Sequence, residues 1–77
     1  MTTDELRALD IATSEALGLP ETCHPTTDYE DFGRAVVVAL TIFEWRVWAR
    51  WGDQWDGVED PRIAFCRAVV AAGKAQP

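Results

Sequence analysis

The sequence holds one histidine, two cysteines, one methionine and seven basic residues in 77, and each shortage removes a class of protein. A single histidine cannot supply the second imidazole of a histidine-built metal or catalytic site. Cys23-His24 and the distant Cys66 lack the paired spacing of a zinc site, which needs three or four ligands. No metal and no cofactor are expected. Nor is there a glycine-rich phosphate loop, a nucleophile elbow or a histidine pair, and adjacent side chains such as Cys23 and His24 seldom point into one pocket. The chain therefore reads as a non-enzyme. Its longest uncharged run, Ala35 to Phe43, is nine residues, against about twenty for a bilayer span. No membrane span is expected. With two cysteines and no charged leader running into an apolar stretch, the expected compartment is the cytoplasm, with reduced thiols.

The shortage of basic residues is uneven. Residues 1–31 carry eight acids against Arg7 alone, a net charge of −7, whereas residues 32–77 carry a net +1. A surface of that sign repels nucleic acid, so no direct nucleic-acid partner is expected, and it attracts basic protein surfaces, including those that bind nucleic acid. Asp4, Glu5, Asp10, Glu15, Asp28, Glu30 and Asp31 are the candidate partner-binding residues. The same charge would also keep a small domain soluble with no partner in view.

What the chain has in quantity is aromatic surface: four Trp, three Phe and one Tyr. Seventy-seven residues make one domain with a thin margin of stability, and large apolar side chains are one way to staple so small a core. All four tryptophans lie between Thr41 and Val58. Over Phe43 to Trp51 the odd positions are Phe, Trp, Val, Ala and Trp, while the even ones include Glu44, Arg46 and Arg50, which is the period-2 alternation of a half-buried strand. Gly52-Asp53 supplies a turn, so a β-hairpin is expected there, with Trp45 and Trp51 at the centre of stability. The return strand has two registers, and the one pairing Trp51 with Trp55 keeps Asp56 out of the core. Trp48 falls on the charged side between Arg46 and Arg50, either covered by a helix or exposed as a binding anchor.

Helices flank this stretch. Thr2 to Glu5 is a capping box opening a first helix that Gly18 stops, with Arg7, Asp10 and Glu15 left for solvent. Pro20 to Thr27 reads as a connecting loop and the place to expect mobility, with Cys23 half-buried and His24 exposed. Thr27-Asp28-Tyr29-Glu30 forms a second capping box, with Thr27 as cap, opening a helix from Asp28 to about Ala39 whose buried side is marked by Tyr29, Phe32, Val36 and Leu40. Asp60-Pro61 opens a last helix, on which Ile63, Cys66 and Val70 form the apolar stripe and Gly73 the stop. The resulting fold class is α+β, in the order helix, helix, β-hairpin, helix.

That order resembles the phage ABA sandwich domain family. The similarity rests on the amphipathic helix Leu6 to Gly18 ending in Leu-Gly, the polar entry Thr26-Thr27-Asp28, and the closing helix around Ala64-Phe65-Cys66-Arg67-Ala68. The resemblance implies a small α/β/α sandwich with helices on both faces of the sheet, covering Trp48. It also implies a phage origin and hence a host-cell cytoplasm as the place of action, and it brings no catalytic residues. Two functions are then expected. The first is a phage interaction protein, such as a counter-defence (anti-CRISPR-like) or host-takeover inhibitor, whose acidic half acts as a nucleic-acid mimic on a basic host protein. The second is a structural or assembly protein working as a homo-oligomer; the chain itself could be a monomer or a homodimer.

Overall fold

The described residues form four helices: α1 (Thr3–Leu17), α2 (Tyr29–Phe43), α3 (Trp45–Asp53) and α4 (Pro61–Ala75). The structure, a computed structural model, describes residues 2–53 and 60–75, with the side chains of Trp45, Gly52, Asp53 and Ala75 outside that description. Among the described residues there is no strand, so the expected α+β sandwich and its hairpin are replaced by an all-helical fold. The expected return strand, its two registers and Trp55 and Asp56 lie outside the described residues.

The reason the alternation misleads is that positions 43, 47 and 51 satisfy both periods. Phe43, Val47 and Trp51 alternate with polar residues, but they also recur every fourth residue, as on one face of a helix. Phe43 and Val47 are buried and Trp51 is half-buried. The deciding positions are Ala49 and Trp48. Alternation puts Ala49 inside, yet it is exposed, and puts Trp48 outside, yet its ring lies 5.2 Å from that of Trp51 and 6.4 Å from that of Phe65. Arg46 and Arg50 sit one turn apart, as a helix requires.

A single residue separates α2 from α3. Glu44 takes φ 55°, ψ −133°, and its N–H donates to the Leu40 carbonyl at 3.2 Å, closing α2 while the chain turns directly into α3. Arg46 Nε donates to the Phe43 carbonyl at 3.2 Å and so satisfies another of the unpaired acceptors at the end of α2. This break lets the apolar run continue as helix through the three valines without making one helix of more than twenty residues.

α1 begins and ends as expected. Thr2 and Glu5 form the reciprocal capping box, and Gly18 at φ 71° closes the helix, with its N–H directed to Glu15 and that of Leu19 to Ser14, a Schellman ending. The cap of α2 is Asp28 instead of Thr27, its carboxylate accepting from the N–H groups of Glu30 and Asp31. Asp60 caps α4 through Arg62 N–H. Gly73 does not stop α4 but lies within it. A Cβ there would meet Ala16 Cβ at 3.5 Å and Phe43 Cζ at 3.8 Å, so Gly73 marks where α1 and α4 approach closely.

The core is organised on α4, which packs against all three other helices. Ala64, Phe65, Cys66, Ala68, Val69 and Ala72 are all buried, facing Leu17, Ala35, Ala39, Phe43 and Val47. Phe65 is the centre of the aromatic cluster, with edge contacts to Phe32 at 5.5 Å and Trp51 at 5.1 Å. The Trp51 indole N–H also donates to the Pro61 carbonyl at 3.2 Å, tying α3 to the start of α4. Tyr29, expected inside, is 76 % exposed and receives the Arg62 guanidinium over its ring at 4.2 Å, while Leu40 is likewise exposed.

Candidate functional site

Contacts along the three long helices fix their relative direction. Tyr29 at the start of α2 touches Arg62 at the start of α4, and Phe43 at the end of α2 lies beside Gly73 near the end of α4. Ala16 near the end of α1 meets the same Gly73. Helices α2 and α4 thus run in broadly the same sense, and the segment 18–28 returns along α1, since Thr26 bonds Asp10 and Thr27 shares a pocket with Thr3 and Leu6.

That return is held by side chains. Thr26 N–H donates to Asp10 Oδ1 at 2.9 Å, His24 Nδ1 lies 3.5 Å from Asp10 Oδ2, and His24 N–H donates to Asp31 Oδ2 at 2.9 Å. The His24 carbonyl accepts from Thr27 and Asp28. Within this loop Cys23, expected to be half-buried, is buried together with Pro25 and Thr26, while His24 is exposed as expected, along with Pro20, Glu21, Thr22 and Thr27. Asp10 is 3 % exposed, so it is not on the solvent side of α1. Its inward position completes a buried stripe, Asp10, Thr13, Ser14 and Leu17, at the i, i+3, i+4, i+7 spacing of one helix face. Reading for apolar residues missed this stripe because three of its four members are polar. Thr13 donates to the Leu9 carbonyl at 2.7 Å and lies beside the Cys66 side chain, whose thiol burial pushes up to about 12.

The return of the loop brings the starts of α1 and α2 together, as a pocket of about 280 Å³ lined by Thr3, Leu6, Arg7, Asp10, His24 and Thr27 shows. Asp4 and Glu5, in the first turn of α1, and Asp28, Glu30 and Asp31, at the start of α2, are thus carried on the two segments that meet at this pocket. Glu5, Asp28 and Asp31 there are fixed by internal hydrogen bonds. The Glu5 carboxyl is held below its ordinary range by the Thr2 N–H and hydroxyl. Asp4 and Glu30 are exposed and have no side-chain hydrogen bond or ion pair among the described residues. Helix α4 tempers the charge: Arg67 lies close enough to lower Glu5 further, and Arg62 close enough to feel Asp28. Glu15, nearly three turns beyond Glu5, is exposed toward the opposite end of α1.

Beside the acidic end, Tyr29, Phe32, Trp51, Asp60, Pro61 and Arg62 line an open groove of about 500 Å³. Arg62 makes a two-pronged ion pair with Asp60, at 3.2 and 2.9 Å, that holds the Asp60 carboxyl below its ordinary range. Trp48 does not line the groove; it is 44 % exposed, with its ring tilted by 33° against that of Trp51, and so is only partly covered.

Among the described residues no group of three or more His, Cys, Asp and Glu side chains could hold a metal ion, and no helix is long and apolar enough to cross a membrane. No family model matches the chain, and searches of the curated proteins and of the solved structures likewise return no match.

Proposed function

We propose that the chain is a small non-enzymatic interaction protein that binds a basic, nucleic-acid-binding surface of a host protein through its acidic end. The observation that carries this reading is that the start of α1, which bears Asp4 and Glu5, and the start of α2, which bears Asp28, Glu30 and Asp31, meet at one pocket although the two groups are more than twenty residues apart in the sequence. Tyr29, between Asp28 and Glu30, joins that end to the aromatic groove, whose Trp51 carries the partly exposed Trp48 against it, a combination of acidic steering and aromatic anchor suited to fast association and a desolvated contact. A phage origin, which the motif resemblance to the phage ABA sandwich family implies although its sandwich fold is absent from the described residues, would make such an inhibitor a counter-defence or host-takeover factor acting in the host cytoplasm.

The test is charge reversal at Asp4 and Glu30, which hold no internal bond. Partners captured from bacterial host lysate by the wild type should be lost by Asp4→Lys/Glu30→Lys, and wild-type binding should weaken as salt rises from about 50 to 200 mM, because exposed charges are screened over roughly 10 Å. Capture that is indifferent to both changes would remove the acidic end from the interface. A second reading, a structural or assembly protein acting as a homo-oligomer, is supported by an apolar groove toward the other ends of α1 and α2.

A further inference from the structure

The groove of about 420 Å³ between α1, α2 and α4 has a floor and walls of unequal kind. Its floor is made low by Ala12, Ala16 and Gly73, where α1 and α4 approach closely. On one wall Ile42 projects from α2, 40 % exposed although apolar. Glu15 on α1 and Lys74 on α4 stand at its rim, both exposed and neither with an ion-pair partner among the described residues. A hollow, an apolar knob, one acid and one base therefore share a single face.

We infer that this face is self-complementary and that its occupant is a second copy of the chain, docked about a two-fold axis. In such an interface each contact occurs twice, with residue i on j and j on i. Ile42 of each copy enters the hollow over Ala16 and Gly73 of its partner, and Glu15 of each meets Lys74 of the other. The charge pattern selects this occupant: a uniformly basic partner would be met by Lys74 and a uniformly acidic one by Glu15, whereas a two-fold copy satisfies both. A standard interface of about 800 Å² per partner would take roughly a sixth of the 4725 Å² surface, so the dimer is within reach of so small a molecule. The inference does not rest on the acidic end, to which neither Glu15 nor Lys74 belongs.

Sedimentation equilibrium of the full chain over about 1–500 μM, in low salt where exposed charge pairs act, tests it. The wild type should pass from monomer to dimer with concentration. Glu15→Lys alone and Lys74→Glu alone each create two like-charge contacts per dimer and should weaken self-association about tenfold or more. An equimolar mixture of the two variants places opposite charges at both contacts and should restore association as a heterodimer, which also shows that both variants fold. Ile42→Thr should weaken the dimer in the wild type and in the mixture alike. A wild type that stays monomeric throughout, single variants that associate as well as wild type, or a mixture no tighter than its components would each overturn the inference.

Discussion

At Asp10 a carboxylate on a surface helix turns inward because the returning loop presents the Thr26 N–H and His24 to it. Removing the acceptor leaves a buried N–H unpaired, and placing an ammonium there sets like charge or donor against donor. Asp10→Lys should therefore cost more than about 3 kcal/mol in urea unfolding, and Asp10→Asn, which keeps an acceptor, about 1 kcal/mol. An unchanged midpoint for the lysine variant would show that the carboxylate is not needed inside. Backbone strain gives a second residue-scale test. Glu44 occupies a positive-φ region suited to glycine, so Glu44→Gly should stabilise by about 1 kcal/mol, whereas Gly18→Ala, at φ 71°, should destabilise by a similar amount. In mid-helix the preference reverses: Gly33, with open space where a Cβ would stand, should gain about 1 kcal/mol on replacement by Ala. Thermal midpoints that move against this pattern would contradict the backbone geometry.

At the scale of elements, helix ends matter because each leaves unpaired N–H groups that a carboxylate can accept. The Asp60 carboxyl is held below its ordinary value by Arg62, so the ion form is favoured in the folded state. Its contribution is complete above the unfolded value near 3.8 and is lost as pH falls through the lower folded value. Stability of the wild type should accordingly drop below about pH 4 more steeply than that of Asp60→Asn, whose amide still caps but does not titrate. Parallel acid-side curves would mean that the pair adds nothing to folding, as is common for partly exposed ion pairs. Helix α3 depends on its neighbours in a different way. Nine residues are too few to be stable alone in water, so α3 exists because Val47 and Trp51 bury against α4.

For the molecule as a whole, burial of both cysteines ties thiol chemistry to unfolding. Cys23 and Cys66 are free and buried, and desolvation pushes the Cys66 thiol up to about 12 from an ordinary 9.0. At pH 8 a disulfide reagent should label the folded chain about a hundredfold or more slowly than the urea-unfolded one, since reaction needs an exposed thiolate. Prompt labelling in native buffer would show that the core opens easily. Because the folded value is raised, the same thiol withdraws stability as pH climbs above about 9. Charge also changes meaning at this scale: the acidic half of the chain and the arginines of α4 are far apart in sequence, yet Arg62 and Arg67 lie near Asp28 and Glu5.

Three helices were legible in the chain itself because their signals are local. Thr2 with Glu5, Gly18, and Asp60-Pro61 act on neighbours within four or five residues, and the structure shows each where the sequence places it. At α2 the cap was misplaced by one residue, since Thr27 and Asp28 both suit a cap and the choice depends on where the loop arrives, and the end, expected near Ala39, lies at Phe43. The segment from Phe43 to Trp51 could not be read locally, as its apolar positions fit a strand and a helix equally. Only burial against Phe65 and the break at Glu44 decide for the helix. The acidic end, the hollow beside Ile42 and the inward turn of Asp10 are likewise products of the path of the loop, which brings together residues that no sequence period connects. What short-range hydrogen bonding and sterics control was determined by the sequence alone; what depends on which surfaces meet was decided by the tertiary structure, because burial free energy is shared between residues distant along the chain.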